Sequence, residues 1–420
     1  MSDEEHRSIA SRSRRRWIAG SLLLALLFII GYCLRQGRHP AIGPPRDSEL
    51  VDSEAPVVMR ARVMTGKPRA ASPATTLDIC GLGKVPLDTS DPSAADRYID
   101  GLTAKARSRW LATLLDSDDI RARAAGLLLQ RWLTASGPVQ PIAEQTRDAL
   151  VQLAVGAGDP AVYAMAVYAC DTYSELSPSG SCQQITLQHW SAIDADNAVP
   201  WLLLAGKAHT ANDVATEAAA FGHAAGAHRA DAYNFSLYSV TESALPGDVT
   251  PLERWILGIA LIGIESATGS LQYGIASRHC STAAMQDPEL RQQCDALAGL
   301  LVSKGTTLLD QSVGTIIGTR AGWPQRRTAS LVEEHDALMQ VVLQTAPGDS
   351  DDMWSCEAVQ RGNAYLAQRL RLGELGAVRD TLERSGETVP ELAAKHRDFL
   401  EAIRRDAQRQ AKPSQSGPPP

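Results

Sequence analysis

Asp194 to Asp231 reads DADNAVPWLLLAGKAHTANDVATEAAAFGHAAGAHRAD, two apolar-periodic runs separated by the polar break Asn212-Asp213. Trp201, Leu204 and Ala205 recur at i, i+3, i+4 in the first run, and Phe221 and Ala224 at i, i+3 in the second. That is the spacing of helices which each bury one stripe. With a turn between them the stretch predicts a helical hairpin, and a hairpin this short cannot bury its faces without neighbours.

The stretch resembles a tetratricopeptide repeat. Trp201, Leu204 and Ala205 match the packing positions of that family's first helix, and Phe221 and Ala224 those of its second. It departs from the pattern at Glu217, which stands at the usual second small position beside Ala218, and no proline closes the unit near Arg229. The resemblance implies stacked helix pairs that hold a protein or peptide along a groove, with Trp201 and Phe221 at its centre. Helix openings at Asp159-Pro160, Asp196-Asn197 and Asp231-Ala232 follow one another by 37 and 35 residues, a solenoid of drifting period.

Helical periodicity extends both ways. Upstream, Tyr98, Leu102, Ala106, Trp110 and Leu114 form one stripe. Asp118 is placed to cap a second helix, through Trp132, that ends at Gly137-Pro138. Ile142 to Val155 forms another, stopped by Gly156 and Gly158, and Asp159-Pro160 opens the next through Cys170. Downstream, Leu252 to Ala276 and Leu297 to Ile317 carry spaced glycines and are expected to pack on each other at the centre of a second subdomain. The uninterrupted apolar core of the first, ILGIALIGI, is too short to cross a membrane. Further helices follow from Trp323-Pro324, from Trp354 to Arg371, from Leu372 to Arg384 and from Pro390 to Ala407. The last carries Leu392, His396, Phe399 and Ile403 as one packing stripe.

The amino-terminal end has another character. Trp17 to Leu34, WIAGSLLLALLFIIGYCL, has no charge and as a helix spans roughly 27 Å, enough for a bilayer core. Arg12, Arg14, Arg15 and Arg16 precede it, so the positive-inside bias keeps residues 1–16 cytoplasmic and sends the rest across. No small-x-small cleavage pattern ends the run, and Tyr32 before Cys33 does not suit a lipoprotein signal, so an uncleaved signal-anchor is expected. Residues 35–91 are proline-rich and read as a tether largely without strands, apart from a weak strand pattern at Val57–Val63. Ile79 to Lys84 lacks phosphate-loop spacing and reads as a disulfide-pinned turn.

The expected organisation is therefore an all-α protein, an N-terminal transmembrane helix followed by an α-α helical-repeat array. Its parts are 1–16 cytoplasmic tail, 17–34 membrane helix, 35–91 linker, 92–246 repeat domain, 247–407 C-terminal helical subdomain and 408–420 disordered tail. The expected location is a bacterial inner membrane, crossed once, with the main domain in the periplasm.

The net charge is −7 over 420 residues. Seven Arg against Asp3, Glu4 and Glu5 give +4 through His39, so the exported part carries −11, a sign that excludes nucleic acid as its partner. Six cysteines follow Cys33, and an even number suits an oxidising compartment. Proximity pairs Cys170 with Cys182 and Cys280 with Cys294, which leaves Cys80 for Cys356. No C-x-x-C or H-E-x-x-H spacing points to a metal, and no glycine-rich loop points to a cofactor. No catalytic constellation stands out. Glu265, after ILGIALIGI, is the one carboxylate whose burial would suit acid catalysis, in a periplasmic hydrolase or cell-wall-processing enzyme. The favoured expectation is a membrane-anchored periplasmic scaffold or assembly factor for envelope proteins or peptides.

Overall fold

The computed structural model describes residues 76–86, 94–133, 142–171, 179–268, 271–345 and 353–411. The apolar stretch 17–34, Cys33 and the Val57–Val63 pattern lie outside them. Among the described residues no helix is long and apolar enough to cross a membrane. The chain divides into two units, Met1–Ile99 and Asp100–Pro420.

The first unit contains a hairpin of β1 (Thr76–Ile79) and β2 (Gly83–Pro86), antiparallel with Leu77 opposite Val85 and Ile79 opposite Gly83. The expected turn at Cys80-Gly81-Leu82 is there, closed by Leu82 N donating to Ile79 O at 2.9 Å. Gly81 and Gly83 take φ of 82° and 70°, a backbone that glycine adopts without strain. The linker was expected to be largely without strands, and the hairpin departs from that. The stretch between Pro73 and Pro86 is free of proline, and its last residue sits where a lost N–H is tolerated, at a strand end.

Helices make up nearly everything else. They are α1 (Ala94–Leu115), α2 (Ile120–Leu133), α3 (Glu144–Ala157), α4 (Pro160–Cys170), α5 (Leu187–Ile193), α6 (Ala198–Thr210), α7 (Val214–Gly226) and α8 (Asn234–Ser243). Then come α9 (Pro251–Thr268), α10 (Leu271–His279), α11 (Pro288–Lys304), α12 (Leu308–Ala321), α13 (Gln325–Thr345), α14 (Cys356–Ser385) and α15 (Val389–Ala411). Local chemistry sets the ends. Asp119, one residue past the expected Asp118, caps α2 by accepting from Arg121 N at 2.8 Å. Gly158 ends α3 at φ 60°, and Asp159 caps α4 through Ala161 N with Pro160 in the first turn.

The hairpin α6–α7 is the expected one. Asn212 takes φ 57°, Asp213 accepts from Thr216 N at 3.1 Å, and Leu204, Ala205, Phe221 and Ala224 are buried. Helices α10 and α11 stack on it, α10 against α6 and α11 against α7. A disulfide joins them, with Cys280, just past α10, and Cys294, within α11, bonded at a Cα separation of 5.7 Å. Cys170 and Cys182 are bonded in the same way at 5.5 Å, and Cys80 and Cys356 are each disulfide-bonded too.

Between α7 and α10 the helices α8 and α9 leave the stack. The first packs on α2 and the second on α14. Packing of α8 on α9, of α6 on α10 and of α7 on α11 runs across the expected subdomain border at 246/247, and Asp100–Pro420 forms one compact unit. The two glycine-spaced segments pack on each other only in part, α10 against α12, with Tyr273 OH donating to the Asp310 carboxylate at 2.8 Å. Each is divided between two helices: Leu252–Ala276 between α9 and α10, while Leu297–Ile317 folds back on itself as α11–α12. The second break is chemical. The Asp310 carboxylate accepts from Thr306 N at 2.9 Å, Thr307 N at 3.0 Å and Thr307 Oγ1 at 2.9 Å, replacing helical bonds with a capping box.

At the C-terminal end α13 and α15 lie along each other over a core that includes Leu338, Val341, Leu375, Val378 and Leu392. His396 is buried beside Leu392, whereas Phe399 is 37% exposed, so the expected stripe narrows after its second member. Helix α15 runs to Ala411, four residues into the segment expected to be a disordered tail.

Candidate functional site

Helix α14 carries the site because it is bent. At Gly373 the backbone takes φ 74° and ψ 176°, and the two halves of the helix part there. Leu375 N donates to Thr306 O at 2.9 Å, which pins the elbow to the α11–α12 loop. On the first half Arg361, Tyr365, Gln368 and Arg371 follow at i, i+4, i+7 and i+10, one face of a helix. On the second half Asp380, Thr381 and Arg384 share a face. All seven line one cleft.

Gln368 bridges the halves. Its Nε2 donates to Ala377 O at 3.1 Å and to the Asp380 carboxylate, and its Oε1 accepts from Arg384 Nη2 at 2.6 Å. Arg384 also meets Asp380 at 2.7 Å. Trp255 of α9 and Gln344 and Thr345 at the end of α13 complete a cleft of about 670 Å³. Gly362 permits this wall, since a Cβ there would run into the Trp255 ring.

Three arginines line the cleft against the single carboxylate of Asp380, so its charge is opposite in sign to that of the whole chain. Arg361 pairs with Glu357 one turn away, an exposed contact that contributes little. Arg371 makes no ion pair among the described residues.

The residues expected to form a groove lie elsewhere. Phe221 is 1% exposed and stacks on the His279 ring at the end of α10 with centroids 4.7 Å apart, while α11 packs on its own helix. It is a core residue, and the groove reading is corrected there. Trp201 is half-buried, stacked on His223 at 4.3 Å, with its indole N–H donating to Ala195 O at 3.0 Å. Glu265 sits in the last turns of α9, and its side chain lies outside the described residues.

Two polar clusters were not foreseen. Glu217 accepts from His209 Nδ1 at 2.9 Å and faces His279 Nε2 at 3.2 Å. Burial pushes the His279 imidazole below its usual value, and the Glu217 carboxylate opposes that. The misfit of a glutamate at a small-residue position was its visible trace in the sequence. The second cluster closes the repeat unit. Asn197 Nδ2 donates to Asp194 at 2.8 Å and to Asp231 O at 2.7 Å, Tyr233 OH reaches Asp194 at 3.0 Å, and Arg229 pairs with Asp194. Its buried groups satisfy one another, so it serves as a clasp. Among the described residues no group of three or more His, Cys, Asp or Glu side chains is placed to hold a metal.

No protein-family model matches the chain, and neither the curated proteins nor the solved structures include one that matches it.

Proposed function

We propose that the protein is a membrane-tethered scaffold or assembly factor that holds a protein or peptide partner in the elbow of α14, on the non-cytoplasmic side of a bacterial inner membrane. The observation that carries this reading is the cleft of about 670 Å³, lined by three arginines in an array of packed helices. Its volume falls in the range of roughly 300–1,000 Å³ common for ligand clefts. A recognition surface needs shape and charge on a rigid support, and the elbow has both. The tether reading rests on the uncharged run 17–34 behind four arginines, and the compartment on that topology and on six cysteines placed in disulfides.

Site-specific photo-crosslinking in cells tests the binding site. A photoreactive residue at Ala364, which lines the cleft, is expected to give a discrete adduct, and one at Val214, 74% exposed on α7, is not. Equal or absent adducts at the two positions would overturn the reading. Topology has its own test. A C-terminal reporter that is active only outside the cytoplasm is expected to be on.

A further inference from the structure

We infer that the elbow cleft takes an acidic peptide segment, with carboxylates on Arg361, Arg371 and Arg384 and non-polar side chains against Tyr365. This rests on the binding reading above and names its ligand class. Charge selects the class first. The chain has a net charge of −7, and the cleft sets three arginines, Arg361 paired with Glu357, Arg384 with Asp380 and Arg371 with neither, where an acidic partner would dock.

Spacing selects a chain over a compact anion. Arg361 and Arg371 are ten residues apart on one helical half, about 15 Å along the axis, too far to converge on one phosphate. Carboxylates on alternate residues of an extended peptide span that distance within a few residues. Pre-organisation supports the choice too. Gln368 and Asp380 hold the Arg384 guanidinium in place through Nη2 before anything binds, which leaves Nη1 to donate to a ligand carboxylate. Tyr365, with Ala364 and Ala367 beside it, gives the peptide's non-acidic side chains a surface that a bare anion would not use.

The test uses the full chain in detergent micelles and a fluorescein-labelled octapeptide of alternating Glu and Ala. Saturable binding that weakens as salt rises is expected, with no comparable binding of the Lys-Ala counterpart. Arg361→Glu/Arg371→Glu is expected to weaken binding at least about tenfold with an unchanged melting curve, because both side chains are solvent-facing. Arg371→Lys keeps the charge but loses the planar fork, and is expected to bind more weakly than the parent and more tightly than the double variant. Equal affinity for the Lys-Ala peptide, no binding of the Glu-Ala peptide, or a double variant within twofold of the parent overturns the inference. Displacement of the peptide by millimolar inorganic phosphate overturns the peptide class in favour of a compact anion. A crosslink at Ala364 that persists in any of these cases shows that the ligand class failed while the scaffold reading stands.

Discussion

Gly373 illustrates how one residue sets the geometry of the candidate site. Its φ of 74° with ψ of 176° lies in a region that is essentially glycine-only, so Gly373→Ala is expected to cost about 1–3 kcal/mol, read as a lowered midpoint in chemical denaturation. Gly362→Ala is expected to cost a similar amount, about 1–3 kcal/mol, for a different reason, the collision of its methyl group with the Trp255 ring. The two variants separate in ligand binding. The first changes the angle between the walls of the cleft, and the second displaces only the aromatic one. Sequence reading came close at the first position, dividing the helices between Arg371 and Leu372, two residues early. It had no means of finding the arginine face. The i, i+4, i+7, i+10 spacing of Arg361, Tyr365, Gln368 and Arg371 reads as an ordinary solvated stripe until a second helical face is folded against it.

At the level of elements, the helix pair α13–α15 carries a pH dependence. His335 and His396 both have imidazole pKa values pushed down, chiefly by burial; the Asp336 carboxylate opposes this for both, His396 adds to it for His335, and Arg397 adds to it for His396. The Nδ1 atoms of both rings are enclosed and lack a hydrogen-bond partner among the described residues. The unfolded chain, with histidines near pH 6.5, therefore binds more protons than the folded one. Stability is full above about pH 6.5 and falls as the pH drops through that value towards the lower folded pKa. His335→Gln/His396→Gln is expected to flatten this part of a melting-temperature profile measured between pH 5 and 7.5. Element ends were the most legible part of the fold, because Asp159, Pro160, Gly158 and the Asn212-Asp213 turn act through local chemistry. The break at Thr306-Thr307 was not legible, because it depends on Asp310 accepting from the loop before it. Phe221 was placed on the correct helix and given the wrong neighbour, since periodicity shows which face is apolar and not what covers it.

For the whole molecule, the covalent links are the sharpest test of the compartment assigned to it. Cys170–Cys182 and Cys280–Cys294 close loops of 12 and 14 residues, each worth about 3 kcal/mol in the chain-entropy account. Protein recovered without reductant is expected to show both pairs oxidised by peptide mapping, and a reducing agent is expected to lower its unfolding midpoint. Free thiols at these four positions would remove both the links and the argument for an oxidising location. Long-range order is where sequence reading stopped. The helix pair α6–α7 was foreseen, but the departure of α8 and α9 to α2 and α14, which breaks the row expected to continue at Asp231-Ala232, was not, because a stripe of apolar residues carries no address. That excursion also limits how the protein can evolve. In a linear solenoid a duplicated hairpin simply lengthens the row. Here a late helix docks on the middle of the chain, so an extra hairpin between α9 and α14 would have to be absorbed without pulling that dock apart, and the number of units is fixed by the architecture.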